Sequence, residues 1–262
     1  MIDSSVLVTY YKIDPNLTVN SGDYNGDGTS DIAVFRPATG LWAIRGLSRF
    51  YFGKSGDIPV PGDYDGDTRS DAAVFRETTG LWAIRGLTRA YLGRIDDIPA
   101  PGDYDGDESC EFAVFRETTG LWAIGGITRC YFGSAGDLPV PGDYRGEGTE
   151  AIAVFRAAGG LWAVRGYTRI YFGRDGDRAI PGDYNGSSNF IVGIFRPSSG
   201  LWAIRGVTRC YFGRTLDRPA PADYDGDARD EIGIFRGPFG LWAIKGLTRV
   251  YFGSSGDIPV TR

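Results

Sequence analysis

The chain of 262 residues contains no histidine, a single methionine and three cysteines. Without histidine, Ser-His and Cys-His nucleophiles and imidazole metal sites are all excluded. Three cysteines, an odd number, do not make a disulfide framework. Apolar runs stop at four or five residues, so no segment spans a membrane. The start, Met1-Ile2-Asp3-Ser4-Ser5-Val6-Leu7-Val8-Thr9, has no basic region followed by a long apolar stretch, so no signal peptide is expected in it. Positive charge is also short: the net charge of −5 argues against a nucleic-acid partner.

Glycine and aromatic residues are plentiful, at 40 residues and 14%. That mixture suits many turns between short aromatic strands and opposes disorder. The dipeptide Asp-Tyr recurs at Asp23, Asp63, Asp103, Asp143, Asp183 and Asp223, a period of 40 residues without insertion or deletion. Trp42, Trp82, Trp122, Trp162, Trp202 and Trp242 keep the same period, as do the Phe-Arg pairs ending at Arg36, Arg76, Arg116, Arg156, Arg196 and Arg236. The six units cover 22–261, leaving no linker and no second domain, so 1–262 reads as one domain.

In unit 2, residues 57–64, 71–76, 81–85 and 88–92 read as four strands separated by turns. Both faces are apolar, as in sheets covered on both sides. Four short antiparallel strands per 40 residues predict an all-β fold, a six-bladed β-propeller. A linear solenoid is the rival, but its repeats are usually shorter and carry distinct caps. Ring closure has a surplus. Residues 257–260 and 17–20 share the register of the first strand, and 6–11 has that of a fourth. One chain end closes the ring, and the other is free to pair outside it, so the expected state is a monomer or a dimer through that strand.

The loop between the first and second strands carries the chemistry. Unit 1 offers Asp23, Asn25, Asp27 and Asp31 at positions 1, 3, 5 and 9, with the Thr29 carbonyl at position 7. Unit 2 offers Asp63, Asp65, Asp67, Asp71 and the Arg69 carbonyl. Unit 3 offers Asp103, Asp105, Asp107, Glu111 and the Ser109 carbonyl; unit 6 offers Asp223, Asp225, Asp227, Glu231 and the Arg229 carbonyl. Oxygen ligands alone, at this density, point to Ca2+ rather than zinc or copper. Aspartate also caps turns, which accounts for Asp143 and Asp183 in loops that have lost other ligands. Arg145 and Ala151 in unit 4, and Ser187 and Ile191 in unit 5, predict two loops without a cation. The ligand positions of the other four loops hold 15 of the 33 acidic residues, so the remaining chain carries a balance of +10.

The loop Asp-x-Asp-x-Asp-Gly-x-x-Asp followed by a strand resembles the FG-GAP and VCBS repeats. Phe52-Gly53 matches the name-giving pair, and Pro219-Ala220-Pro221 lies near the family's Gly-Ala-Pro. That resemblance implies a calcium-stabilised propeller, extracellular or at the cell surface, serving recognition or adhesion. Integrin-type members usually have seven blades, against six units here. A fungal lectin with calcium loops on a related propeller is also similar, which makes glycan binding at repeated sites the alternative function.

Two further series keep the same period. The six tryptophans fit either core packing or a sugar platform. The arginines at 36, 49 and their equivalents, with Asp57, Asp97, Asp137, Asp177, Asp217 and Asp257, fit interblade ion pairs and guanidinium-aromatic stacking, or an anion-binding ring. Cys130 and Cys210 fill an apolar position, and none of the three cysteines reads as a nucleophile. The single-copy features Gly125, Tyr167 and Gly237-Pro238-Phe239 supply no catalytic group, so no catalytic residue is assigned and no enzyme is expected; a polysaccharide-active enzyme is a third reading. The variable turns at 37–39 and 54–55 and their equivalents should share the face opposite the acidic loops, with Phe239 the most exposed apolar candidate there for a ligand that is unknown.

Overall fold

A computed structural model describes residues 22–260. It contains six four-stranded antiparallel sheets arranged as a six-bladed propeller. The one helical element among the described residues is a 3-10 turn at Gly237–Phe239. Blade 2 shows the pattern: Ile58–Pro59, Ala73–Arg76, Leu81–Ile84 and Thr88–Tyr91, each paired with the next. Burial falls along that order, from the first strand, buried, to the fourth, where only Ala90 is half-buried.

Each blade has a large face and a small one, and this size alternation replaces polar alternation. In blade 1, Phe35 and Trp42 are cross-strand partners on one face, while Val34 and Ala43 are partners on the other. Phe35 and Trp42 pack against Val74 and Ala83 of blade 2. The same join recurs around the ring and ends with Phe235 and Trp242 of blade 6 against Val34 and Ala43 of blade 1. All six tryptophans are 0% exposed, and each indole N–H donates to a backbone carbonyl, Trp42 to Phe52 at 3.1 Å. Core packing therefore holds, and the tryptophans offer no platform to a sugar.

Ring closure uses the C-terminal end. Ile258–Pro259 pairs with Ala33–Arg36 and supplies the first strand of blade 1. The Tyr24 hydroxyl donates to the Val260 carbonyl at 2.6 Å, as Tyr64 does to Val60 within blade 2. The expected strand registers at 6–11 and 17–20 lie outside the described residues.

The arginine–aspartate series differs from expectation. The pairs lie within blades, not between them. Arg76 Nε and Nη2 each donate to Asp57 at 2.8 Å, across the first and second strands of one sheet. Arg116–Asp97, Arg156–Asp137, Arg196–Asp177 and Arg236–Asp217 repeat this geometry. Arg36–Asp257 is the pair that ties the C-terminal strand into blade 1. The reason is register: Ile58 opposes Phe75, which sets Asp57 beside Arg76. Each aspartate is buried and also accepts a backbone N–H three residues upstream, Lys54 for Asp57 at 3.0 Å. Removing one partner of such a pair strands a buried charge, at about 3–5 kcal/mol. Arg76→Met keeps the aliphatic stem and should destabilise by about 3 kcal/mol in urea unfolding; a loss below about 0.5 kcal/mol, the level of an exposed pair, would contradict this role.

Candidate metal centre

Each acidic loop is folded by its first aspartate. Asp23 Oδ1 accepts the Gly26 N–H at 2.6 Å, and Oδ2 accepts the Gly28 N–H at 2.8 Å. Both bonds recur in every loop, including those of units 4 and 5, where Asp143 holds Gly146 and Gly148 and Asp183 holds Gly186 and Ser188. The turn-capping role of aspartate thus exists alongside any role as a ligand. The turn requires a left-handed residue at position 6. Gly28 suits it at φ 84°, but Thr68 and Glu108 are forced there at φ 71° and 72°. Such a backbone costs a non-glycine residue of order 1–3 kcal/mol, most for a β-branched threonine.

The structure gathers positions 1, 3 and 9. Asp63, Asp65 and Asp71 each bring a carboxylate oxygen within 4.8 Å of the others, as do Asp103, Asp105 and Glu111, and Asp223, Asp225 and Glu231. In loop 1 the middle group is an amide, and Asn25 Nδ2 donates to Asp31 Oδ1 at 3.4 Å. At position 5, Asp27 accepts the Thr29 N–H at 2.9 Å, Asp67 that of Arg69 at 2.9 Å, Asp107 that of Ser109 at 2.9 Å and Asp227 that of Arg229 at 3.0 Å. These bonds set positions 5 and 7 as one turn beside the cluster.

Electrostatics separates the two kinds of carboxylate. Hydrogen bonds from Thr29 and Ser109 hold Asp27 and Asp107 below the usual range. Burial first, and then the neighbouring carboxylates, push Asp71 up to about 6 and Glu111 and Glu231 to about 7. Asp31 shifts the same way, chiefly by burial. The backbone N–H of Tyr24, Tyr64, Tyr104 or Tyr224 donates to each position-9 group and only partly offsets this. Two half-buried carboxylates and one exposed, gathered within 4.8 Å of one another with oxygen donors alone, fit a hard divalent cation. The identity of the metal does not follow from this geometry.

Units 4 and 5 hold no such group among the described residues. Ala151 and Ile191 replace the position-9 carboxylate. Arg145 does not fill the centre; its guanidinium donates to the Gly166 carbonyl at 2.8 Å and stands 5.2 Å from the Tyr167 ring. In loop 5 the Ser187 hydroxyl lies between the Asn185 and Asn189 amides. A cleft of about 330 Å³ opens beside it, lined in part by Tyr167, Asn185, Asn189, Phe190 and Arg205. The three cysteines are free, and burial, then Glu150, pushes the Cys110 thiol up, which opposes nucleophilic use. Phe239, in the turn after Arg236, is 64% exposed.

One set of contacts escaped the sequence. The backbone N–H at position 8 of each loop donates to the position-1 carbonyl of the preceding blade: Ser70 to Asp23, Cys110 to Asp63, Glu150 to Asp103, Phe190 to Asp143, Asp230 to Asp183 and Ser30 to Asp223, all at 2.6 Å. The only sequence trace is the small residue before each Asp-Tyr. A Cβ on Gly142 would lie 2.2 Å from the Phe190 ring of the next blade.

Comparison with known proteins gives no match to a family model and none to a curated protein. The class that fold and loops define is a six-bladed β-propeller with repeated acidic clusters suited to a metal ion.

The pH dependence has a definite sign. Because Asp71, Glu111 and Glu231 titrate above their usual values in the folded loops, their neutral forms stabilise the cation-free protein at low pH. That contribution is lost as pH rises through about 6 to 7. Cation binding needs the charged forms and gains over the same interval. The rise in melting temperature caused by calcium should therefore grow between about pH 5.5 and pH 7.5; a response flat across that range would show that these groups do not meet the ion.

Proposed function

We propose that this chain is a calcium-stabilised propeller of the FG-GAP/VCBS type, acting as a non-catalytic recognition scaffold outside the cell or at its surface. The observation that carries the reading is the threefold repetition of one cluster, positions 1, 3 and 9, with the position-9 acid held half-buried. Loop 1 has the same frame with an amide at position 3, so loops 6, 1, 2 and 3 form one continuous arc of four cation sites. Four calcium ions would turn the net charge of −5 into +3. A rigid ring with no histidine and with its carboxylate clusters in the repeated loops suits recognition rather than catalysis.

Calcium that binds the folded loops and not the unfolded chain stabilises by mass action. Titration calorimetry should find four ions per chain, and a chelator should lower the melting temperature by several degrees. Asp65→Asn and Asp225→Asn should each remove one ion. Superimposable melting curves with and without chelator would overturn the calcium reading, and a cation held by Asp143 or Asp183 would overturn the assignment of the arc.

A further inference from the structure

The outermost strands reverse the usual relation between burial and variation. Packing normally fixes buried residues and lets exposed ones drift. Here the half-buried middle position reads Phe50, Ala90, Cys130, Ile170, Cys210 and Val250. Its exposed neighbours do not change: Arg49, Arg89, Arg129, Arg169, Arg209 and Arg249 on one side, and Tyr51, Tyr91, Tyr131, Tyr171, Tyr211 and Tyr251 on the other. The six tyrosines are 73–76% exposed. The turns at 37–39 and 54–55 and their equivalents, by contrast, vary among units, only units 2 and 3 sharing one of them, Glu-Thr-Thr.

The fold accounts for little of this constancy. Among the described residues, none of the six arginines pairs with a carboxylate, and Arg49 alone stands over a ring, 5.8 Å from Phe252. Residues two apart on a strand share a face, so arginine and tyrosine stand side by side. In blades 1, 2, 4, 5 and 6 the tyrosine also lies close enough to the guanidinium of the Arg–Asp pair in its own blade to raise that arginine's pKa, as Tyr91 does for Arg76. Each blade thus presents one flat ring between an unpaired guanidinium and a paired one, and the station recurs six times around the wall. Arg45, Arg85, Arg165, Arg205 and Lys245 add exposed cations at the adjoining hairpins.

We propose that the outer wall binds an anionic polysaccharide, a chain of sugars bearing carboxylates, at these six Arg-x-Tyr stations. The tyrosine ring takes the C–H face of a sugar, and the unpaired guanidinium takes a carboxylate through its two parallel donors. Identical stations read a polymer of identical units, and several weak contacts on one chain add through effective concentration. Duplex nucleic acid carries one charge per about 1.7 Å, far denser than one cationic station per blade. A chain with one carboxylate every one or two sugars is the sparser match to that spacing. This inference rests on the recognition reading and names its surface and partner class.

The test uses the full chain with calcium and hyaluronate, against uncharged dextran and single-stranded DNA. Hyaluronate should bind, and bind more tightly in 50 mM than in 200 mM NaCl, as expected for charge contacts that salt screens. Replacing all six Arg49-series residues by Gln should weaken binding more than about tenfold, and replacing all six tyrosines by Ser should do the same. A half-set, Arg49→Gln with Arg129→Gln and Arg209→Gln, should fall between and serves if the full sets fold poorly. Melting temperature and calcium response are read on every variant, which separates failure of this proposal from failure of the calcium reading. Absence of hyaluronate binding, equal binding of dextran, preference for DNA, or binding untouched in folded arginine variants would each overturn it.

Discussion

One aspartate per blade ties local structure to the closed ring. The carboxylate of Asp23 folds its own loop by accepting two backbone N–H groups, and its carbonyl accepts the Ser70 N–H of the next blade. Six such joins run around the molecule, and the bond from Ser30 to Asp223 completes them. A backbone donor buried between blades needs a partner, and this carbonyl supplies it. Its position depends on the loop conformation that the side chain enforces. That is why Asp143 and Asp183 persist where Ala151 and Ile191 have removed the position-9 carboxylate.

The other contacts elaborate that frame. Large faces carrying Phe35 and Trp42 and small faces carrying Val74 and Ala83 make neighbouring blades complementary. The buried Arg–Asp pairs hold the short first strand to the second, and at the closure Arg36 holds Asp257 of the C-terminal strand. The acidic loops sit on a scaffold folded by backbone bonds. A cation would neutralise carboxylates that are already assembled, and their raised pKa values record the cost of assembling them without it.

Much of this was legible because the 40-residue period is unbroken, so each residue type could be read six times. Strand order, blade count and the tryptophan core all followed from that register. Periodicity does not say which sheet a residue joins, so the Asp57 series was assigned between blades although register sets it within one. Ligand spacing likewise does not reveal that Asp27 accepts the Thr29 N–H and makes one turn with it. The join from position 8 was invisible because backbone supplies both partners, while the side chains there run from Ser30 to Phe190.

The central claim is that the first aspartate organises ring and loop whether or not a cation is present. Loop 4, which has no acidic cluster, isolates that role. Asp143→Ala should lower stability by about 1–2 kcal/mol, the scale of a lost side-chain cap, and by the same amount in calcium as in chelator. A variant as stable as the parent, or a loss that appears only when calcium is present, would contradict the account.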